Sequence, residues 1–398
     1  MSVPRFAEPA PPRAFDHLRS PPPEVRLISW LPFQPPVLTT GLLLVMLLIF
    51  AAEQYFSLDA TAGFGLSAPT LTAVGALDRT LAFGQGEWWR IATAPLLHAN
   101  LAHIVGNGLV LLFIGATLER LVGRAWLAAL FVVSALGGAV GGLLLNPIDL
   151  PSVGASGAIM GLLGAAFVLS FHPEAYDRRR RVRWIVAFLA IPALIPTATA
   201  PGASMLVDYS CHFGGALTGV VAGFLLQMIW PENAPHPLYP GFAAKLGIVG
   251  FAAAVVAFGA VALHYPAYAA RGQLLMPEAE TPKTVAEGAS QSAQILARYP
   301  HDPRAHLYRA AYFESFQDWR DAEAQVRAAI SDPLTAPMGL SPTFKLQMQF
   351  ELAALLADQG RDDEARTAAQ PVCALPASAQ WAQARLQLQN AGLCDQPG

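Results

Sequence analysis

Apolar residues gather into seven runs, 37–53, 96–117, 125–146, 156–172, 184–200, 208–230 and 243–264, separated by short polar or proline-containing stretches. A helix needs roughly 20 such residues to cross about 30 Å of hydrocarbon. The pattern predicts an all-α polytopic membrane protein, with six spans in a compact core and a seventh transmembrane helix beyond them. Lys and Arg in the short flanking loops set the orientation. Arg120 and Arg124 follow the second run, and Arg178, Arg179, Arg180, Arg181 and Arg183 follow the fourth. Both loops follow even-numbered spans and so share one side, which the positive-inside rule makes the cytoplasm. The N-terminus is then cytoplasmic, and the chain after the seventh run lies outside. The arginine cluster is a topology signal first and a contact for anionic lipid second.

The stretches between and around the runs are not uniform. Residues 54–95, on the outer side, carry Gly63, Gly65, Pro69 and then Trp88-Trp89-Arg90. Indole rings favour the membrane–water boundary, so an ordered, interface-anchored loop is expected. Residues 195–207, rich in Pro and small side chains, form a connection that could cap a cavity between the fourth and sixth runs. Residues 1–36 hold Pro21-Pro22-Pro23 and Pro35-Pro36 without the apolar core of a cleavable signal, and read as a disordered cytoplasmic tail. From about 270 the sequence turns polar, alanine-rich and helix-periodic. One stretch holds Tyr308, Ala310, Phe313, Trp319, Ala322, Val326, Ala329 and Pro333; a second holds Phe350, Ala353, Leu356, Gly360, Ala365 and Ala369. The pairs Ala310/Ala322 and Ala353/Ala365 sit where two packed helices need small residues. The region resembles a degenerate tetratricopeptide repeat pair, although its units are spaced beyond the usual period of about 34. A generic helical hairpin domain is the other reading. Either form could recruit a protein partner.

Composition sharpens this picture. Of 398 residues, 54% are hydrophobic and 13% charged, against about 25% charged in soluble proteins. The net charge of −3 comes with no dense basic tract, which sets nucleic acid aside. Three cysteines allow at most one intramolecular pair. Cys211 lies in an apolar run and reads as an inert buried thiol. Cys373 and Cys394 share the outer tail, where an oxidising compartment would permit a disulfide.

The candidate chemistry lies inside the apolar runs, where polar groups are costly and therefore suspect. Gly154-Ala155-Ser156-Gly157 opens the fourth run; His98, His103 and Asn107 belong to the second and His212 to the sixth. With cytoplasmic ends at Glu119, His172 and Trp230, a rise of about 1.5 Å per residue puts His103 and Ser156 about 24 Å above the inner boundary and His212 about 27 Å above it. One level for all three, just beneath the outer surface, suits a common site. Asn107 follows His103 at i, i+4 and shares its face. Ser156 needs a base to become a nucleophile, and His212 has a suitable pKa range. His103, the Asn107 amide and the Ser156 N–H could donate to an oxyanion. Asp208 stands one turn before His212 at the mouth of the run, so a Ser–His dyad is expected rather than a triad. His98, placed on the same helix as His103, would point about 140° away and tether the first loop, an angle that opposes a shared metal site.

Together these motifs resemble the rhomboid intramembrane serine proteases. The matching residues are Trp89-Arg90, His98-x4-His103-x3-Asn107, Gly115-x3-Glu119-x3-Gly123, Gly154-Ala155-Ser156-Gly157 and His212-x2-Gly215-x3-Gly219. Hydropathy and charge place a linker and seventh span at 231–265 and a helical, repeat-like extracytoplasmic domain at 266–398, and the resemblance covers 37–230, implying a six-helix core there. It implies cleavage of single-pass transmembrane protein substrates near the outer face, with Ser156 as nucleophile, His212 as base, and His103 with Asn107 at the oxyanion. No cofactor or metal is implied. Gly154 and Gly157 frame the serine, while Gly215 and Gly219 let the sixth span approach the fourth. Met160 departs from the pattern, standing where an aromatic often stacks on the histidine. A thioether can pack there instead. A catalytically silent adaptor that binds transmembrane helices is the alternative. A transporter would need an internal inverted repeat that is not evident. Alanine and arginine richness suggests a bacterial inner membrane.

Overall fold

The computed structural model describes residues 35–59, 64–146, 151–173, 179–194, 207–332, 342–375 and 382–394. Among these the chain is helical, with one isolated antiparallel bridge, Leu77–Ser152. The N-terminal segment 1–34, most of the 195–207 connection, Arg178 and Pro333 lie outside the described residues.

Among the described residues, four helices are long and apolar enough to cross a membrane: α1 (Val37–Tyr55), α5 (Leu101–Leu145), α8 (Tyr209–Met228) and α9 (Pro240–Gly272). The second and third apolar runs both fall in α5, whose 45 residues break at Gly123, where φ is 83° and ψ 164°. A φ in that region is cheap only for glycine, so this residue turns one apolar run back against the next. Two shorter helices complete the bundle, α6 (Ser156–Leu169) and α7 (Arg179–Leu194). The fourth run was expected to continue to 172, but α6 has 14 residues, about 21 Å of rise. The seventh run proves longer than 243–264: α9 has 33 residues, about 50 Å.

Helices α6 and α8 form the centre. They run side by side in a fixed register in which Gly157 meets Gly215, Gly161 meets Gly219, Ala165 meets Gly223, and the His172 and Trp230 rings stack at 3.9 Å. His172 Nε2 also bonds the Trp230 carbonyl at 3.1 Å, across a separation of 58 residues, and the three pairs above share that separation. A β-carbon at Gly219 would overlap the Gly161 carbonyl, and one at Gly215 the Gly157 carbonyl. Small residues replace a hydrophobic driving force here, since backbones must touch for dispersion to hold helices together in lipid. Around this pair, Leu111, Leu118, Leu127, Leu162, Leu169 and Leu226 make one continuous core. At the end that holds His172, Glu119 receives the N–H groups of Leu38 (3.0 Å) and Thr39 (2.9 Å), satisfying donors that the start of α1 would otherwise leave unpaired.

Among the described residues between α1 and α5 are α2 (Ala68–Val74), α3 (Arg79–Gln85) and α4 (Arg90–Thr93). Beyond α9 come α10 (Val285–Arg298), α11 (Pro303–Glu314), α12 (Trp319–Ser331), α13 (Pro342–Asp358), α14 (Asp362–Cys373) and α15 (Ala382–Asn390), each of the first five packed on its sequence neighbour. Ala310, Ala322, Ala353 and Ala365 are all fully buried, as helix-to-helix contact at those points requires. Cys373 and Cys394 are disulfide-bonded, with Cα atoms 5.6 Å apart.

Replacing Gly219 with Val should cost about 3 kcal/mol or more, because the overlap is with backbone that cannot move aside; unfolding in mixed detergent micelles measures it. In the tail, burial and then the neighbouring Glu351 carboxylate raise Glu314 to about 7, and burial raises Glu351. The folded tail thus favours their protonated forms. That contribution is complete below the ordinary glutamate range and is lost as pH rises through about 7. Urea midpoints of the tail in the full chain, followed by pulse proteolysis, should fall from pH 5 to pH 8, and Glu314→Gln should flatten the dependence.

Candidate active site

Ser156 is the first residue of α6 and has no capping side chain ahead of it. Its N–H is one of the donors a helix start leaves free, and the end of the helix carries partial positive charge. The preceding segment is fixed by two attachments. Leu77 and Ser152 exchange both backbone bonds, at 3.0 and 2.8 Å, and the Gly154 N–H donates to the Ala94 carbonyl at 2.9 Å. These attachments satisfy irregular backbone where water is excluded, the condition for loop structure at membrane depth.

Asn100 caps α5 by accepting the His103 N–H at 2.8 Å, and this fixes the start of the helix at Leu101. Two consequences follow. His103 and Asn107, one turn apart, both face Gly154: a β-carbon there would lie 2.7 Å from the His103 ring and 3.4 Å from Asn107 Nδ2. Gly154 also has φ of 120°, so glycine is required twice over. His98, in turn, lies outside the helix that was expected to carry it. The 140° argument does not apply, because the chain before Asn100 is extended or 3-10 rather than α-helical. The His98 ring meets the His103 ring edge-on at 5.1 Å and accepts from the Asn107 amide at 3.1 Å. His98 is fully buried, and its backbone N–H donates to the buried Glu53 of α1. Its contacts join the end of α1, through Glu53, to α5, through Asn107. Asn107 keeps one amide hydrogen for another acceptor.

His212 occupies the first turn of α8 and is 8% exposed. A β-carbon on Gly157 would lie 2.6 Å from Cys211 Sγ, so the helices touch one residue beyond Ser156 and one before His212. Cys211 is a free buried thiol that packs as a spacer at this crossing. His212 Nδ1 lies 2.8 Å from the Ala193 carbonyl, in the last turn of α7. A carbonyl only accepts, so Nδ1 carries the proton and Nε2 presents a lone pair. Carbonyls at a helix end have no partner within the helix and favour a cation. The α7 terminus thus orients the imidazole. The Tyr209 ring stands edge-on to His212 at 6.4 Å. Met160 is buried in the main core.

Asp208 does more than stand at the mouth of its span. It caps α8 through the Cys211 N–H at 2.8 Å, accepts from Asn146 Nδ2 at 2.9 Å, and accepts the Ser152 hydroxyl. One carboxylate joins the end of α5, the segment before Ser156 and the start of α8. An Asp at the start of an apolar run is a readable cap, but its two long-range partners are not. Glu53 was also missed, although a lone carboxylate within an apolar run was the available signal. Nothing in the sequence pointed to the Ala193 carbonyl, since any residue supplies one.

The family model of the rhomboid domain matches residues 85–229. RHOMBOID-like protein 5 of Arabidopsis thaliana is 36% identical over 185 residues, 46% of this chain and 58% of that protein. Rhomboid protease GluP of Bacillus subtilis is 31% identical over 183 residues, 45% of this chain and 34% of that protein. Putative rhomboid protease YdcA of the same bacterium is 31% identical over 150 residues, 37% of this chain and 70% of that protein. The chain spans 58% or less of the first two of these relatives.

Asp208→Ala should cost about 2 kcal/mol, from a lost cap and two unpaired polar groups. Asp208→Asn should cost less, because its amide oxygen still accepts. Detergent unfolding of the three proteins gives the comparison.

Proposed function

The chain belongs to the rhomboid family of multi-pass integral membrane proteins, and on that premise we propose that it is an intramembrane serine endopeptidase acting on single-pass transmembrane proteins near the outer membrane face. The observation that carries this reading is the meeting of three elements around Gly154-Ala155-Ser156-Gly157: His103 and Asn107 from α5 against Gly154, and the His212 turn of α8 against Gly157. A nucleophile, a base and two donors converge there.

On this reading Ser156 Oγ attacks the scissile carbonyl carbon while His212 Nε2 takes its proton. Negative charge develops on the carbonyl oxygen, where His103, the remaining Asn107 amide hydrogen and the Ser156 N–H can donate to it. The imidazolium formed on His212 is favoured by the Ala193 carbonyl and the α7 terminus. It then protonates the departing amine, and the acyl-enzyme is hydrolysed by water that His212 activates in turn. An intact substrate helix hides its carbonyls, so segments with Gly, Pro and small residues near the cut are the expected substrates. Water enters from the outer face, with α7 as the gate.

Residues 37–230 form the protease core, 231–265 the linker and much of the seventh span, and 266–398 a repeat-like domain that can bind a protein partner. The Cys373–Cys394 disulfide supports an oxidising compartment for that domain. This agrees with a bacterial inner membrane, the N-terminus in the cytoplasm and the tail in the periplasm. The alternative is a silent adaptor that binds transmembrane helices without cutting them.

Cleavage of a model single-pass substrate in proteoliposomes distinguishes the two. Ser156→Ala and His212→Ala should each lower kcat by about 10⁴-fold or more, with unfolding profiles unchanged. His103→Ala and Asn107→Ala should lower kcat by about 10²-fold at constant KM. A wild-type protein that binds helix-destabilised substrates and cuts none of them is an adaptor.

A further inference from the structure

The seventh helix runs past the bundle and is built into the loop that supports the serine. Tyr268, near the end of α9, is 4% exposed, and its hydroxyl donates to Glu87 Oε1 at 2.9 Å. The other Glu87 oxygen accepts from Arg90 Nε at 2.6 Å. Arg90 is fully buried; it lies over the Trp89 ring at 4.5 Å and the Tyr268 ring at 5.2 Å. Its Nη1 donates to the carbonyls of Thr72 (2.7 Å) and Ala76 (2.9 Å). The next residue, Leu77, makes the paired bonds to Ser152, and Ala94, four residues after Arg90, holds Gly154. A continuous path of hydrogen bonds and short backbone steps therefore leads from α9 to the segment that ends at Ser156.

Both ends of this strut are fixed. Ala73, Leu81, Tyr268 and Leu275 share one small core. The next residue, Met276, donates its N–H to the buried Asp302 at 2.7 Å, and Arg304 pairs with Asp302 and reaches the Met276 carbonyl. A membrane anchor alone needs none of these contacts.

We propose that Tyr268 is a positioning residue for the Ser156 chemistry: through Glu87 and Arg90, α9 holds the segment 151–156 in its reactive geometry, so the seventh helix belongs to the catalytic unit. The proposal rests on the protease reading above. Its mechanism is mechanical. A hydrogen bond to a charged group in a buried network stiffens every member of that network, and a small misplacement of a nucleophile reduces rate more than it reduces binding.

The test uses the full chain in proteoliposomes with a model single-pass substrate, together with hydrogen exchange of the same samples. Tyr268→Phe keeps the ring and removes the hydroxyl. It should lower kcat about tenfold at constant KM and raise exchange at Leu77, Ser152 and Gly154 about tenfold. Tyr265→Phe is the control: that hydroxyl, on the same helix, donates to the Phe56 carbonyl at 2.7 Å and should leave kcat and exchange at those three amides as in wild type. Wild-type kcat and protection in Tyr268→Phe overturn the proposal, as does a rise in KM alone. If the unfolding midpoint falls as well, a double-mutant cycle with Glu87→Gln decides: non-additive kcat losses support the path, and additive ones overturn it. No cleavage by wild type would refute the protease reading instead. The exchange comparison then stands by itself, and unchanged protection at Ser152 and Gly154 overturns the positioning role.

Discussion

The backbone contact between α6 and α8 is the constraint on which the rest of the structure depends. Glycines at 157, 161, 215, 219 and 223 remove the side chains that would separate the two helices. In lipid, where apolar surface gains nothing by leaving one hydrocarbon phase for another, such close approach is what makes helices adhere. The contact holds one register from Gly157 to the stacked His172 and Trp230 rings. That register brings Ser156 and His212 to adjoining turns. A slip of one residue would turn either side chain about 100° away from the other.

Around that contact, several buried polar groups hold specific partners. Asp208 gathers three donors, Glu53 takes a backbone N–H, and His98 accepts from Asn107. Buried polar groups cost little once each has a partner, and they then fix geometry more sharply than apolar packing does. The imidazole of His212 is held by the same logic. The carbonyl of Ala193 at the end of α7 fixes its tautomer. Because α7 is one of the least embedded helices of the bundle, the orientation of His212 is tied to the position of that helix.

Much of the fold was legible in the sequence because lipid allows few solutions. A run of apolar residues must be a helix when no water can pair its backbone, and among the described residues each of the seven runs holds a helical segment. The misjudged lengths have local causes. The fourth helix stops early because Ser170 and Phe171 close its last turn with bonds back to Ala166 and Val168. The seventh continues because Tyr265 and Tyr268 find partners in the first loop, which rewards a helix beyond the hydrocarbon. In the tail, Ala310, Ala322, Ala353 and Ala365 all lie buried in one core.

The sequence by itself determined the helical class, the chemistry on offer and the shared face of His103 and Asn107, because periodicity and residue type are local properties. Only the tertiary structure decided that His98 stands outside the helix against Asn107 and Glu53, that Asp208 joins three elements, and that a carbonyl orients His212. It alone decided that Tyr268, more than a hundred residues after Ser156, bears on the segment that carries it. Each of these depends on distances between elements far apart in the chain. Those distances are set by close packing and hydrogen-bond satisfaction over the whole bundle, which no local pattern of residues encodes.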